Sequence, residues 1–283
     1  MSNAIEIKNL SKKFKDFSLE NVNITLPRGY IMGFIGPNGA GKSTTISLML
    51  NVMKSDGGQV FLNGVESSAM TKADKENIGV VLDESCFPET LTYIQIGKFM
   101  GNIYSQWEAK RFSQLCEHYK LPSNKQIKDY SKGMKMKLSI AAAMSHKAKL
   151  LILDEATSGL DPVVRDEILD MLLEFVQDEE NSVFMSSHIT SDLEKACDYI
   201  TFINRGKMIF SMEKDQVLEK YGILRCANSD FSSISPEAVV GFRSTSFATD
   251  ALVIKDKIPK GFVVDKASIE DVMVYYVKEG DQQ

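Results

Sequence analysis

The stretch GPNGAGKST, Gly36 to Thr44, decides the fold of this chain. It matches G-x-x-x-x-G-K-[ST], with Pro37, Asn38, Gly39 and Ala40 between Gly36 and Gly41. The apolar run YIMGFIG precedes it, and apolar spacing predicts a helix from Lys42 to about Met53. Glycines let backbone N–H groups converge on phosphate oxygens, and a helix N-terminus adds partial positive charge. We therefore predict a nucleotide site in which Lys42 reaches the β- and γ-phosphates, Ser43 ligates Mg²⁺ and Thr44 contacts the α-phosphate.

An acidic pair follows a second apolar strand, KLLILDE, which ends in Asp154 and Glu155. Parallel strands deliver their C-terminal residues to a ligand crevice. Asp154 is expected to hold Mg²⁺ through water, and Glu155 to polarise an attacking water as general base. The alternative, two solvated carboxylates at a strand end, is the better interpretation only without a phosphate loop nearby.

Composition narrows the function classes. The 283 residues carry a net charge of -5, which argues against a nucleic-acid partner, since such proteins usually show a basic face. Four cysteines lack metal-ligand spacing and indicate reduced thiols in the cytosol. Neither a signal segment nor an apolar run of about 20 residues occurs, so any role in transport requires a separate membrane protein.

The order of predicted elements indicates an α/β fold. Residues 1–35 alternate like strands, residues 88–144 are helical, and strand patterns return at KLLILDE, SVFMSSH and YITFINRGKMIF. This order predicts a mainly parallel core sheet with an N-terminal antiparallel part and a helical subdomain inserted at about 86–145. Residues 213–283 are predicted to form a small α+β domain whose closing helix, in SIEDVMVYYVKEG, is capped by Ser268 and Asp271.

Three further motifs give a family resemblance. YSKGMKMKL lies between the two nucleotide motifs, SGLD follows the second one, and SSH ends the next strand. This ordered set, over residues 1–212, resembles the ATP-binding cassette (ABC) family of phosphate-loop ATPases.

The resemblance implies roles for single residues. Ser131 and Gly133 resemble the signature loop, which contacts the γ-phosphate of ATP on the opposite subunit, and Asp161 resembles the carboxylate at the dimer interface. His188 resembles the switch histidine that orients water, and Phe14, with Phe17 as second choice, the aromatic that stacks on adenine. These residues also have structural alternatives. Ser131 and Asp161 could be helix caps, with Lys132, Lys135 and Lys137 as a solvated basic face after Ser131. His188 could be a structural histidine, and Phe14 could pack in the core.

Two departures from the family pattern stand out. The signature is YSKGM, although Ser131 and Gly133 are kept, and Asp83 stands where the family has a magnesium-contacting glutamine. A carboxylate at position 83 can still ligate Mg²⁺ or its water.

The resemblance implies an ATP-hydrolysing subunit that forms a homodimer, or a heterodimer with a second cassette. It implies a transmembrane permease as partner, a location on the inner face of the cell membrane, and export of peptides or antibiotics. Phe87, Leu91, Tyr93, Phe99, Met100 and Trp107 are candidates for the groove that receives the permease. The alternatives are a soluble cassette ATPase of translation or DNA repair and a module that binds ATP without hydrolysing it. No Asn-Lys-x-Asp motif supports a GTPase.

Overall fold

A computed structural model describes residues 3–279, apart from the side chain of Glu279. Met1, Ser2 and residues 280–283, which fall in the predicted first strand and closing helix regions, lie outside the described residues. The chain divides into two compact units, Met1–Ser211 and Met212–Gln283.

Most of the strands belong to the first unit. In chain order they are β1 (Asn3–Lys13), β2 (Ser18–Pro27), β3 (Ile31–Ile35), β4 (Gly57–Leu62), β5 (Val65–Glu66), β6 (Ile78–Val81), β7 (Leu150–Asp154), β8 (Ser182–Ser187), β9 (Tyr199–Asn204), β10 (Lys207–Glu213), β11 (Tyr221–Ala227), β12 (Val239–Ser244), β13 (Ala248–Ile254) and β14 (Val264–Lys266).

The helices alternate with these strands. They are α1 (Lys42–Met49), α2 (Lys72–Glu76), α3 (Tyr93–Ile103), α4 (Ala109–His118), α5 (Lys132–Ala143), α6 (Pro162–Phe175), α7 (Thr190–Ala196), α8 (Lys214–Lys220), α9 (Asn228–Phe231) and α10 (Ile269–Glu279). None of them, within residues 3–279, is long and apolar enough to cross a membrane.

The main sheet has the order β5-β4-β1-β2-β10-β9-β3-β8-β7-β6 among the described strands. β3 pairs in parallel with β8 and β9, and β7 pairs in parallel with β6 and β8. The N-terminal strands pair antiparallel, β1 with both β2 and β4. The predicted α/β phosphate-loop cassette fold, with a mainly parallel core and an antiparallel part, is confirmed. The helices α3, α4 and α5 occur between β6 and β7.

The position of β3 in the sheet explains its sequence. All five of its residues are buried, because strands flank it on both edges and the sheet is covered on both faces. The parallel arrangement brings the C-terminal ends of β3, β7 and β8 to one edge of the sheet. The three motifs that follow these strands therefore meet at that edge.

One helix boundary and one strand assignment differ from the sequence prediction. α1 ends at Met49, four residues earlier than expected, since Asn51 adopts a left-handed backbone conformation with φ 53°. YITFINRGKMIF is two strands rather than one, because Arg205 and Gly206 both have positive φ and form a tight turn.

The second unit has its own antiparallel sheet, with the order β12-β13-β11-β14 among its described strands. Leu224, Ala251 and Val253 lie in its core, and α10 packs against β12. The predicted cap of α10 is present, since the Ser268 hydroxyl accepts from the Asp271 amide and donates to the Asp271 carboxylate.

Candidate nucleotide site

The phosphate loop connects β3 to α1 through a backbone that needs glycine. Gly39 and Gly41 have φ of 79° and 111°, in the left-handed region. Gly36 has ordinary dihedral angles, but a Cβ there would lie 2.3 Å from the backbone oxygen of Ile203. The loop is thus held against β9 while its amides precede the first turn of α1.

Lys42 is the first residue of α1 and is buried. Its Nζ donates to the Gly36 carbonyl at 2.8 Å and lies 3.2 Å from Glu155 Oε1. A buried ammonium is stable only with such partners. Lys42 therefore contacts both the phosphate loop and the acidic pair after β7.

The acidic pair is oriented by the neighbouring strand β8. Register places Asp154 opposite Ser186, whose hydroxyl donates to Asp154 Oδ1 at 2.6 Å and accepts from the Glu155 amide at 2.9 Å. Glu155 takes a left-handed conformation with φ 51°, which costs a non-glycine residue roughly 1–2 kcal/mol. Backbone strain of this kind is typical of functional positions. The bend turns the Glu155 side chain away from the strand and toward Lys42.

His188 completes the arrangement around Glu155. Its Nδ1 lies 2.6 Å from Glu155 Oε2, so the carboxylate is held between an imidazole and the Lys42 ammonium. The imidazole is 43% exposed, whereas Glu155 is 18% exposed. Glu155 and His188 can therefore hold a water and receive its proton at the edge of the phosphate loop.

A cleft of about 380 Å³ joins these groups. The residues that line it are Phe17, Asn38, Gly39, Gly41, Lys42, Ser43, Thr44, Asp83, Glu155, Ser158 and His188. Phe17, the second choice from the sequence, forms part of the wall. Phe14 is 37% exposed and lies 6.0 Å from Phe17 between ring centroids. Stacking of adenine on Phe14 stays a prediction.

The oxygen donors at the cleft fit a magnesium ion that is bound together with phosphates. Ser43 and Asp83 line the cleft, and Asp154 lies one residue before Glu155. Within residues 3–279 no cluster of three acidic, histidine or cysteine side chains could hold a metal alone. Mg²⁺ commonly takes one or two carboxylates, several waters and substrate phosphates rather than a full protein cage. The donors present are therefore suited to a metal–nucleotide complex.

Asp83 is also engaged by a basic residue. Its Oδ1 lies 2.7 Å from Lys132 Nζ, at the start of α5. Lys135 pairs in the same way with Glu89 at 2.8 Å, and Lys137 is buried against Glu167 at 2.8 Å. Lys132 is 46% exposed, whereas Lys137 is only 9% exposed. The interpretation of these lysines as a solvated face therefore fits Lys132 and fails for Lys137.

Ser131, Gly133 and Asp161 lie outside the cleft of their own chain. The Ser131 hydroxyl caps α5 by accepting from the Met134 amide, and Asp161 caps α6 by accepting from the amides of Val163 and Val164. A Cβ on Gly133 would lie 2.6 Å from Val164 Cγ1, so glycine here allows α5 and α6 to approach closely. The capping roles are therefore present, and contact with a second nucleotide stays a prediction.

Sequence reasoning missed two groups at the site. Ser186 orients both Asp154 and Glu155, and Ser158 lines the cleft. The signal for Ser186 was available, because strand register in a parallel sheet places the SSH segment beside the end of KLLILDE. Ser158 is the first residue of the SGLD motif, and its amide donates to the Glu155 carbonyl at 3.0 Å, so the turn after Glu155 brings it to the cleft.

A separate apolar groove of about 440 Å³ lies in the same unit. Its wall includes the exposed apolar residues Val52, Val80 and Leu82 together with Tyr104. The six residues suggested from the sequence do not line it, since Phe87 and Tyr93 are buried in the core and the others lie elsewhere. The groove is lined by residues of α1, the end of β4, the region of α2 and β6, together with Tyr104 and Asp154. Contact of the six residues with a permease stays a prediction.

Comparisons with known proteins show which family the chain belongs to. The family model described as ABC transporter matches residues 19–158. The linearmycin resistance ATP-binding protein LnrL of Bacillus subtilis (strain 168) is 32% identical over 255 residues, which cover 88% of this chain and 82% of that protein. The lantibiotic transport ATP-binding protein SrtF of Streptococcus pyogenes is 34% identical over 213 residues, 75% of this chain and 91% of that protein.

Among solved structures, an ATP-binding subunit of an ABC transporter superimposes with a TM-score of 0.69. It is 26% identical, and the match covers 76% of this chain and 91% of that one. The fold is therefore shared with that structure, and the two relatives show the family of the chain.

Proposed function

This chain belongs to the ATP-binding subunits of ABC transporters, and we propose that it hydrolyses ATP to drive a separate transmembrane permease. The observation that carries the proposal is the position of Glu155. Its two carboxylate oxygens contact Lys42 and His188 at 3.2 and 2.6 Å, inside the cleft that the phosphate loop lines. A carboxylate held in this way is suited to act as general base on a water that attacks the γ-phosphate.

Each side chain of the site has a separate task in this proposal. The loop amides and Lys42 bind the phosphates, Ser43 with Asp154 or Asp83 ligates Mg²⁺, and His188 positions Glu155 and the water. When bound, Mg²⁺ neutralises charge on the phosphate oxygens. Phe14 or Phe17 stacks on adenine.

The proposed active unit is a dimer. Ser131, Gly133 and Asp161 do not face the cleft of their own chain, which leaves the open side of the bound nucleotide to be covered by a second copy or a related cassette. The exposed N-terminus of α5 would offer its amides to the γ-phosphate there. Hydrolysis removes that phosphate and with it the contact that favours the closed dimer.

The apolar groove supports a membrane partner. Val52, Val80 and Leu82 are 81%, 40% and 48% exposed, and apolar surface of this kind is often covered by another protein. We infer that a segment of the permease covers the groove, which would hold the chain on the inner face of the cell membrane. The names of the relatives above refer to linearmycin resistance and lantibiotic transport, and they support a role in the export of such compounds.

The test combines hydrolysis with assembly. Glu155→Gln is expected to lower ATP turnover by roughly 10²–10⁴, the usual contribution of a general base, while it still binds ATP and accumulates as a dimer. Phosphate release and light scattering with saturating ATP and Mg²⁺ measure both. Glu237→Gln, an exposed change in the second unit, is the control and should match the wild type.

Three outcomes would contradict the proposal. Full turnover in Glu155→Gln would remove Glu155 as the base. A variant that binds ATP but stays monomeric would exclude the dimeric mechanism, and a wild-type chain that binds without turnover would instead indicate a non-hydrolysing regulatory module.

A further inference from the structure

The ion pair between Asp83 and Lys132 joins two motifs that are 49 positions apart in the chain. Asp83 follows β6, and Lys132 is the first residue of α5 directly after the capping Ser131. Their charged atoms are 2.7 Å apart, and the side chains are 50% and 46% exposed. An exposed pair of this kind is weak enough to open and close readily.

The position of Asp83 gives this pair a consequence that other surface pairs lack. Asp83 lines the nucleotide cleft together with Lys42, Ser43 and Glu155. It also lines a neighbouring charged cleft of about 470 Å³, to which Lys132 and Lys135 contribute. The carboxylate thus stands in the wall between the two clefts, within reach of either side.

We propose that Lys132 is a positioning residue that competes with the nucleotide-bound metal for the carboxylate of Asp83. While Lys132 holds the carboxylate, the first turn of α5 is tied to the segment after β6. When Mg²⁺ and nucleotide occupy the cleft, Asp83 turns toward the metal or its water shell and the tie to α5 is released. This inference rests on the proposed function, because it requires a metal–nucleotide complex in the cleft.

A neighbouring pair provides the matched control. Lys135 lies one turn along α5 and pairs with Glu89 at 2.8 Å, almost the same distance. Glu89 lines the charged cleft but not the nucleotide cleft. Removal of Lys135 therefore deletes the same charge and the same kind of ion pair without freeing a carboxylate toward the nucleotide.

The experiment measures metal affinity directly, with Mn²⁺ in place of Mg²⁺ and saturating ADP. Free Mn²⁺ is followed by electron paramagnetic resonance for the wild type, Lys132→Met, Asp83→Asn, the double variant and Lys135→Met. We expect Lys132→Met to bind Mn²⁺ about two- to fivefold more tightly, the factor that corresponds to loss of an exposed ion pair. Asp83→Asn should bind more weakly by at least that factor, and Lys135→Met should match the wild type.

The double variant separates competition from simple charge. If Lys132 acts through Asp83, Lys132→Met has no effect in the Asp83→Asn background. The proposal is overturned if Lys132→Met tightens Mn²⁺ binding equally with Asp83 and with Asn at position 83, or if it tightens binding in neither case. ADP binding without metal is measured in the same preparations. A wild-type chain that binds ADP and Mn²⁺ but shows no coupling refutes the ion-pair competition and leaves the ATPase proposal standing.

Discussion

Gly36 and Gly39 lie in the same loop but should respond differently to the same substitution. Gly36 has a backbone conformation that alanine can adopt, yet its new Cβ would lie 2.3 Å from the Ile203 oxygen. Normal van der Waals contact needs roughly 3.5 Å or more. That oxygen belongs to the backbone of β9 and cannot rotate away. A new Cβ on Gly39 would meet nothing within 4 Å, but the residue keeps φ 79°.

The two energies follow from these causes. Overpacking lowers the free energy of unfolding by about 1–3 kcal/mol. Because the obstacle at Gly36 is rigid backbone, Gly36→Ala should lie at the upper end of this range, at about 2–3 kcal/mol. A left-handed alanine costs roughly 1–2 kcal/mol, partly offset by a stiffer unfolded chain, so Gly39→Ala should cost about 1 kcal/mol. In a unit of this size, 1 kcal/mol shifts Tm by about 2–4 °C.

Differential scanning calorimetry of the full chain checks these values. Gly36→Ala should lower the Tm of the first unit by about 4–12 °C and Gly39→Ala by about 2–4 °C. Gly39→Asn should be milder still, since asparagine tolerates the left-handed region. If Gly36→Ala is no less stable than Gly39→Ala, the close approach to Ile203 does not constrain the loop.

Three other changes test separate parts of the structure. Lys42→Met should raise the Kd for ATP by about 10- to 150-fold, the value of a charged hydrogen bond of roughly 1.5–3 kcal/mol, and titration calorimetry would show unchanged affinity if the loop assignment were wrong. Gly133→Ala should lower the Tm because its Cβ meets Val164 at 2.6 Å, and Val164→Ala in the same chain should restore it. Burial lowers the pKa of His146 from its ordinary value of 6.5. The unfolded chain therefore binds more protons below about pH 6.5, so the free energy of unfolding falls as the pH drops. Urea titrations at several pH values should show that the free energy of unfolding falls less steeply at acidic pH in His146→Gln than in the wild type. The same pH dependence in both proteins would exclude His146 as the cause.

The phosphate loop and the mainly parallel character of the core sheet were predictable because local patterns encode them, whereas the order of the strands was not predicted. The strand, glycine turn and helix around Gly36–Thr44 are adjacent in sequence, and the alternating elements fix a parallel sheet. The strands of the second unit are harder to predict; in β12, Gly241 and Arg243 interrupt the apolar pattern, and only part of this edge strand is buried. Edge strands need less burial, so their sequences carry a weaker signal.

The lysines of α5 show what a sequence cannot convey. Their spacing on a helix predicts a polar face, and nothing local distinguishes a solvated ammonium from a paired one. The partners Asp83, Glu89 and Glu167 come from segments 30 to 49 positions away. Only the packing of α5 against these segments shows that its three lysines form ion pairs with other elements.

The central place of β3 in the sheet also bears on how the protein is made. The strand that carries the phosphate loop emerges early from the ribosome, but its neighbours β8 and β9 are synthesised roughly 150 to 170 residues later. At about 5–20 residues per second this delay is on the order of ten seconds or more. During that interval the buried face and edges of β3 have no native partners. The apolar side chains of β3 therefore need another cover, such as non-native contacts or a chaperone, until β8 and β9 have been synthesised.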